Sequence, residues 1–552
     1  MVGYVCKYTP LELIECFGED CMKIDPDVKN FEKSDALMHP NMCAYSKAVL
    51  EECLNSKMDS IILVNCCDSI KRLYDVLKYS GSFKFLYLID VPRKVNEDAV
   101  MLLRSELLKL ITYMEKSSGI KFDENVLMNK ISFREELHET HDNSSLKISL
   151  FGARCKDYIK DIIQKNGAKV ICDFTCTGLE RKFGTYNGED ILTWYSYNIL
   201  NQFPCMRMAD IHERYSIMKT IPKMDGIVYH TVKFCDSYSY DYARLKEITH
   251  TPILKIETDY TSQCNGQIKT RIEAFTESLS KNGKKHKTLN TVSSHKKYAA
   301  GIDSGSTSTN AVIIDENKNI LSYSIVRTGA QSMSSAQAAF DEALTKANLT
   351  KEDISFIVST GYGRVSIPFA DVNITEITCH GKGAFYLDKN IRTVIDIGGQ
   401  DSKVIRLGGD GEVTDFVMND KCAAGTGRFL EMMAQTLEMP LEEMSKCYKG
   451  WKEDITITSM CTVFAESEVV SLIARNKSKA DIIHGINNSI SGKIVSMIER
   501  IGKKGPCMMS GGVAQNKGVI YSLEQKLNEP IFVPPEPQIV GALGAALIAL
   551  EK

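Results

Sequence analysis

The sequence predicts an α/β protein in two parts. Its first half reads as parallel sheets with helices on both faces, and its second as an internally duplicated domain that clamps a ligand. Three observations predict this. Short apolar runs alternate with helical patterns over residues 1–277, the mark of parallel sheets. The stretch Ser278–Lys297 is lysine-rich, has no acidic residue and little apolar content, and reads as a linker. Beyond it, one strand-and-glycine-turn pattern occurs twice. The expected domains are residues 1–277, a linker over 278–297, and residues 298–552.

In chain order, Ile61–Val64, Phe85–Ile89, Ala168–Ile171 and Gly226–Tyr229 read as strands. Helical patterns over Asp98–Lys116 and Tyr158–Gln164 lie between them. After the linker, Ala300–Ile302, Ala311–Ile314 and Ile320–Val326 read as consecutive strands, the last two joined by the polar turn Asp315–Asn319. A helix and the strand Ile354–Ser359 follow. Val394–Gly399 then resembles Gly301–Gly305, and it too leads into a polar strand and a glycine turn, Gly408–Gly411.

A chain of 552 residues exceeds a single core. Hydrophobic residues at 43% and charged residues at 25% are ordinary for a globular protein. A net charge of −3, two Trp and no basic–aromatic interleaving argue against nucleic acid as a partner. The longest apolar run, Ile539–Leu550, is well short of the roughly 20 residues that cross a bilayer. Glu12, Glu15, Glu19 and Asp20 interrupt any signal-like N-terminus, so no membrane role and a cytoplasmic location are expected. Eighteen cysteines in a reducing compartment favour metal or redox use. About half of them are expected to be buried thiols that pack as small hydrophobes.

Asp303-Ser304-Gly305-Ser306-Thr307-Ser308-Thr309 follows a strand. An aspartate at a strand end can hold Mg²⁺, usually through water. Gly305 and the hydroxyl residues Ser306, Thr307, Ser308 and Thr309 let backbone N–H groups reach phosphate oxygens. D-x-G turns also join ordinary hairpins, so the second copy matters. Asp396-Ile397-Gly398-Gly399-Gln400-Asp401-Ser402 adds another carboxylate and glycine turn, with Gln400 suited to orient a water. Asp303, Asp396 and Gln400 are the catalytic candidates. A third turn, Gly511-Gly512-Val513-Ala514-Gln515-Asn516, leaves room for a flat adenine ring, and Gly541, Gly544 and Ala545 follow the same small-residue logic. The expected ligands are ATP and Mg²⁺. Three such turns in this order resemble the actin/hexokinase/Hsp70 ATPase superfamily, a duplicated ribonuclease-H-like fold. No Walker-type phosphate loop occurs.

Two cysteines depart from a sugar kinase. Cys422 precedes an expected helix over Arg428–Leu437, and Cys461 opens another that ends near Asn476. A helix N-terminus stabilises a thiolate, so both suit metal ligation. Two thiolates are half the set for a [4Fe-4S] cubane, and a two-fold homodimer supplies four. The segments TGYGR (Thr360–Arg364), EITCHGKGA (Glu376–Ala384), DIGGQDSK (Asp396–Lys403), NDKCAAGTGRFLE (Asn419–Glu431), CTVFAESEV (Cys461–Val469) and GGVAQN (Gly511–Asn516) resemble the activator, or archerase, of 2-hydroxyacyl-CoA dehydratases. Benzoyl-CoA reductase ATPase subunits are relatives of that family. The resemblance implies a homodimer sharing one [4Fe-4S] cluster. It also implies ATP-driven transfer of a low-potential electron, a reductant such as ferredoxin or flavodoxin, and an anaerobic host.

The first half carries a second resemblance. GYVCKYTPLELIECFG (Gly3–Gly18), HPNMCAYSKAVLE (His39–Glu51), CCDSIKRLYDV (Cys66–Val76), LIDVPRK (Leu88–Lys94), CTGLERKF (Cys176–Phe183), KFCD (Lys233–Asp236), KIETDY (Lys255–Tyr260) and GQIKTRIEAF (Gly266–Phe275) are similar to the dehydratase β-type subunit and to double-cubane cluster proteins. Residues near 120–150 look trimmed against it. The resemblance implies a cluster on Cys43, Cys67 and Cys235. A double cubane would add Cys6, Cys176 and Cys205, and the choice between Cys66 and Cys67 stays open. The settings agree with ligation: Cys67 ends an apolar run, Cys176 precedes Thr177-Gly178, and Cys205 follows Pro204. Strand-tip loops are where α/β sheets gather their sites.

The remaining cysteines, Cys16, Cys21, Cys53, Cys155, Cys172, Cys264, Cys379, Cys447 and Cys507, read as structural. Phe464, Met432 and Met433 are expected to pack helices, and His380 to be a hydrogen-bonded structural histidine. Arg207, Lys269 and Arg271 are candidates for an anionic group such as a CoA phosphate. The expected whole is a fusion of electron donor and acceptor. Its rivals are a sugar or small-molecule kinase, which needs neither Cys422 nor Cys461, and a first half that only docks a dehydratase-like partner.

Overall fold

Among the described residues, four sheets organise the chain, two in each of two units, Met1–Leu279 and Ser280–Lys552. The structure is a computed structural model. It describes the chain except residues 57, 81–82, 137–145, 179–180, 189, 209–213, 217–223, 262–264, 282–297, 330, 420–422 and 458–461, and except the side chains of 133–136, 265 and 281.

In the first unit, β1 (Val2–Tyr4), β2 (Cys21–Lys23), β3 (Ser60–Val64) and β4 (Phe85–Ile89) form a sheet of order β2-β1-β3-β4. Strands β5 (Leu146–Gly152), β6 (Ala168–Thr175), β7 (Gly226–Val232) and β8 (Ile253–Thr258) form a second, of order β6-β5-β7-β8. Every pairing is parallel. Helices on both faces explain the unbroken apolar run of β3, whose Ile61, Ile62, Leu63 and Val64 are all buried. The two sheets have the same order, and each changes direction beside its first strand. Ligands gather beyond the carboxyl ends of strands at such a switch point.

The helix expected over Asp98–Lys116 runs Glu97–Ser118. The Asn96 side chain accepts from the N–H of Ala99, and Gly119 ends the helix at φ 73°. Its buried stripe, Ala99, Val100, Leu103, Leu107, Leu110, Ile111 and Met114, has helical spacing. The helix Asn265–Lys281 enters the stretch expected to be a linker. The reason is packing: Leu279 is buried, and a Cβ on Gly226 would lie 2.7 Å from its Cδ1. The rest of that stretch lies outside the described residues.

The second unit shows its duplication directly. Strands β9 (Tyr298–Ser304), β10 (Ser308–Asp315), β11 (Ile320–Arg327), β12 (Ile354–Thr360) and β13 (Val372–Asn373) take the order β11-β10-β9-β12-β13. Strands β14 (Thr393–Ile397), β15 (Ser402–Leu407), β16 (Val413–Asn419), β17 (Cys507–Ser510) and β18 (Ile531–Phe532) take β16-β15-β14-β17-β18. In each sheet the first three strands are antiparallel and the last two join in parallel. This is the ribonuclease-H-like plan, built twice.

The last helix, Val540–Leu550, is almost wholly buried. A Cβ on Gly544 would sit 1.8 Å from the Cys379 carbonyl oxygen, and one on Gly301 2.0 Å from that of Ala542. Gly544 therefore serves backbone packing against the helix Glu376–Leu387 rather than an adenine ring. Gly541 faces Asp303 and His380 at 2.3 and 2.8 Å from such a Cβ, also away from a base. Ala545 is buried in the same packing. No helix among the described residues is long and apolar enough to cross a membrane.

Candidate functional site

The second unit holds a cleft of about 280 Å³ between its two sheets. Gly305, Ser306, Thr307, Ser308, Gly398 and Gly399 line one end, and Gly511, Gly512, Val513 and Asn516 the other. The turns after β9 and β14 touch, since a Cβ on Gly399 would lie 1.8 Å from Thr307 Oγ1. Gly511 has φ 83°, and a Cβ there would sit 2.5 Å from the Ile397 carbonyl oxygen, so glycine is required. Three expected residues lie elsewhere. Thr309 is buried, with its hydroxyl 2.8 Å from Thr328 Oγ1. Ala514 is buried, and Gln400 is exposed; neither lines the cleft.

The cleft floor is a buried charge network. His380 Nε2 lies 3.7 Å from Asp303 Oδ2, and its Nδ1 lies 3.5 Å from Asp396 Oδ1. Ser510 Oγ donates to Asp396 at 3.0 Å and stands 3.2 Å from His380 Nδ1. Lys403 Nζ is held by Asp401 at 2.7 Å, Asp396 at 3.2 Å and Glu376 at 3.5 Å. Burial opposes charge on His380, but Asp396 and Asp303 outweigh it and raise its pKa. Burial likewise opposes charge on Asp396, and His380 and Lys403 outweigh it and hold the carboxyl low. Burial pushes Glu376 up to about 7 against the pull of Lys403.

His380 is thus hydrogen-bonded, but at the centre of the site rather than in the structural background. Sequence reasoning passed over Glu376, Asp401 and Lys403 as well. The signal was available: Lys403 pairs with Asp396 across β14 and β15, within the quoted DIGGQDSK motif. Among the described residues, no three His, Cys, Asp or Glu side chains form a cage for a single metal ion. Mg²⁺ needs no such cage, because water and phosphate complete its shell around one or two carboxylates. Four carboxylates against one lysine and one histidine leave negative charge to receive it.

The helix after the second turn, Gly427–Thr436, is tied to that turn. Its first N–H groups, of Gly427 and Arg428, donate to the carbonyls of Gly398 and Gly399, each at 2.9 Å. Ser402 Oγ also donates to the Gly425 carbonyl at 2.9 Å. Cys422 and Cys461 themselves lie outside the described residues. The helix after Cys461 spans Thr462–Ala474. Met433 is buried and Met432 packs beside it, but Phe464 is 68% exposed rather than packed between helices. The reason is that only Ala465 and Val469 of this helix turn inward.

Among the described residues of the first unit, seven thiols, Cys6, Cys43, Cys66, Cys67, Cys176, Cys205 and Cys235, lie near enough to act on one another's charge. Cys43 and Cys235 are the N-cap residues of the helices Ala44–Asn55 and Asp236–Ile248. The two thiols hydrogen-bond to each other, which raises Cys43 well above the usual thiol range. Cys67 precedes the helix Asp68–Ser80. Its hydrogen bond with Cys66, aided by the N–H groups of Ile70 and Ser69, lowers it to about 7 against the desolvation that opposes its charge, although the residue is exposed. Cys66 bridges Cys6 and Cys67. Cys176 is raised by burial and by Cys6, with Cys205 and Cys67 also near enough to act on it. Cys43, Cys67 and Cys235 therefore share one feature, a place at the N-terminus of a helix. Cys66 lacks it, although it lies in the same chamber.

Cations surround these thiols. Lys7 is buried, donates to the Phe203 carbonyl at 2.6 Å, and is brought down to about 8 by burial. Arg214 donates to the Pro204 carbonyl at 2.6 Å and to Asp241 at 2.9 Å. Arg207 donates to the carbonyls of Pro92 and Val91 and acts on Cys6 and Cys205. Arg207 is half-buried, held by these carbonyls. Lys269 pairs with Glu273 at 3.7 Å, on the helix that also carries Arg271. An iron–sulfur cluster binds each thiolate to a different iron. Thiols spread around a chamber, with cations behind them, fit that donor set where a single-ion cage is missing. Burial raises Cys16, Cys53 and Cys507 to about 12, as inert packing thiols. Cys155 and Cys379 are buried too, while Cys264 lies outside the described residues.

Two duplicated sheets of this order, closing on a glycine-lined cleft, define an ATPase of the actin/hexokinase type. The chain belongs to the BadF/BadG/BcrA/BcrD ATPase family, whose sequence model matches residues 300–549. The model for 2-hydroxyglutaryl-CoA dehydratase, D-component, matches residues 6–143 and 129–279. The second half is 47% identical, over 254 residues, to the activator of lactoyl-CoA dehydratase of Anaerotignum propionicum, covering 46% of this chain and 98% of that protein. The crystal structure of (R)-2-hydroxyglutaryl-CoA dehydratase component A of Acidaminococcus fermentans is 43% identical, with a TM-score of 0.45, over 46% of this chain and 98% of that one. The (R)-phenyllactyl-CoA dehydratase beta subunit of Clostridium sporogenes is 24% identical over 341 residues, 50% of this chain and 91% of that protein.

Proposed function

We propose that the chain is an ATP-dependent electron-transfer activator fused to its own iron–sulfur acceptor, working as a cytoplasmic homodimer. The observation that carries this reading is the pair of hydrogen bonds from Gly427 and Arg428 to the carbonyls of Gly398 and Gly399. A phosphate that moves the Gly398–Gly399 turn moves the helix beginning five residues after Cys422. Asp303 and Asp396 hold Mg²⁺, His380 and Ser510 keep the two carboxylates facing, and Lys403 balances the remaining charge. Gly305 to Ser308 and Gly398 to Gly399 approach the phosphates, while Gly511, Gly512 and Val513 border the base. Cys422 and Cys461, two from each protomer, hold the shared [4Fe-4S] cluster. When bound, that cluster supplies a one-electron centre reduced by a ferredoxin or flavodoxin. Cys6, Cys43, Cys67, Cys176, Cys205 and Cys235, with Cys66 beside them, hold the acceptor. A separate dehydratase-like partner then draws on the same donor.

Iron and acid-labile sulfide per chain, after anaerobic purification, test this on the wild type and on Cys422→Ala/Cys461→Ala. Loss of about four irons per dimer, with several remaining, is the expected result. Iron unchanged by the substitutions removes the electron-transfer reading in favour of a kinase-like ATPase.

A further inference from the structure

Arg154 differs from the other buried cations of the first unit. It is 0% exposed, and a guanidinium stays charged at any physiological pH. Arg181 donates to Glu12 at 2.8 Å, Arg214 to Asp241, and Arg207 to backbone carbonyls. The Nε, Nη1 and Nη2 atoms of Arg154 find no hydrogen-bond acceptor among the described residues. Its nearest carboxylate, Asp25 Oδ1, lies 3.4 Å away without forming a hydrogen bond. The face of Tyr45 lies 5.2 Å from the guanidinium carbon. The ion pair with Asp25 offsets part of the cost of burying this charge, but N–H donors that make no hydrogen bond remain costly until an acceptor completes them.

The backbone brings the segment carrying Arg154 beside the segment carrying Cys176. Gly152 ends β5 at φ 106°, and a Cβ there would sit 2.1 Å from the His230 carbonyl oxygen. The chain turns at this point, with the Ala153 N–H donating to His230 at 2.8 Å and the Cys176 N–H donating to Gly152 at 3.1 Å. Arg154 is thereby set beside Cys176, close enough for each to act on the other's charge. Tyr45, Tyr260 and Asp25 border the guanidinium on its other sides, and Cys176 is the sulfur near it, which as thiolate accepts hydrogen bonds from a cation.

We infer that Arg154 is the charge-balancing contact of the N-terminal iron–sulfur centre, donating its guanidinium N–H groups to thiolate or sulfide at the Cys176 side of the chamber. The inference rests on the proposed function, since it needs an iron–sulfur centre there. Arg154 is a positioning and potential-setting residue: it holds the reduced, more negative centre more strongly than the oxidised one. The competing account leaves the guanidinium paired with Asp25 and packed on Tyr45, with no contact to a cluster.

The test uses the full chain, purified anaerobically, with Cys422→Ala/Cys461→Ala as parent so that the remaining iron belongs to the first unit. Iron per chain and the midpoint potential are read for the parent, Arg154→Gln and Arg154→Lys. Arg154→Gln is expected to keep its iron and to lower the reduction equilibrium constant at least tenfold, about 59 mV more negative for one electron. Arg154→Lys is expected to recover most of that shift. Iron lost from Arg154→Gln but kept at parental potential in Arg154→Lys supports the inference equally. An unchanged midpoint in iron-loaded Arg154→Gln overturns it in favour of tyrosine packing. Iron lost from both variants also overturns it, because a like charge then fails to substitute. A parent without iron removes the reading beneath the inference, and the inference falls with it.

Discussion

The nucleotide cleft and the thiol chamber sit at the same kind of place, the carboxyl ends of strands near the middle of their sheets, yet their charge is opposite. The cleft floor gathers Asp303, Asp396, Asp401 and Glu376 around one lysine and one histidine. The chamber gathers thiols among Lys7, Arg154, Arg207 and Arg214. Each surplus suits the ligand proposed for it: a carboxylate-rich floor for a divalent cation with phosphates, and surrounding cations for thiolates and sulfide. The two also achieve close approach differently. Glycines let the cleft's turns touch, whereas Cys43, Cys67 and Cys235 sit at helix N-termini. Fold position therefore chooses where a ligand goes, and side-chain charge chooses which ligand it is.

The sharpest way to break this comparison is to remove charge from the cleft alone. Asp396→Asn is expected to lower ATPase kcat by about 10²–10³-fold, with iron per chain unchanged. A parallel loss of iron shows that the two sites are not separable. Gly399→Val comes next. Its side chain overlaps Thr307, so ATP affinity is expected to fall about 100-fold, roughly 2.7 kcal/mol, in a nucleotide-binding titration; binding at wild-type strength means the turns part readily.

Glu376 provides a pH test. Its folded pKa of about 7 lies above the ordinary 4.5, so its contribution to stability is present below 4.5 and is lost as pH rises through about 7. Mg²⁺ binding runs the other way, because Glu376 gains charge as pH rises toward 7 and adds it beside the proposed Asp303–Asp396 site. Apparent Mg²⁺ affinity in the ATPase assay is expected to climb up to about tenfold per pH unit below 7 and then level off. Glu376→Gln flattens the slope; a slope that persists in that variant assigns it to another group. The smallest expected effect is at Phe464. Being exposed, Phe464→Ser should change stability by less than about 0.5 kcal/mol in denaturant unfolding. A large loss at this position instead indicates that the aromatic ring is covered in the dimer.

Much of the cleft was legible in the sequence because a turn is a local object. Asp303, Gly305, Gly398 and Gly511 announce tight backbone wherever they occur, and the second Asp–Gly turn repeated the first. Lys403, Glu376 and His380 were not legible, since their roles come from side chains that meet across strand and helix. His380 on its helix looks no different from any buried histidine until Asp303 and Asp396 are seen on either side. Gly544 and Ala545 were misread for the converse reason. Small residues admit either a ligand or a neighbouring backbone, and only the partner tells which.

By itself the sequence determined the two-part plan, the parallel sheets, the duplicated turns and the cysteines that mark the family. These are set by periodicity, backbone allowance and residue chemistry, all of which act within a few residues. The tertiary structure alone decided that seven thiols of the described residues lie together, that Gly427 and Arg428 hang from the Gly398–Gly399 turn, and that Arg154 lies buried beside Asp25 with its N–H groups making no hydrogen bond. Each depends on distances between segments far apart in the chain, and those distances arise only when the sheets close.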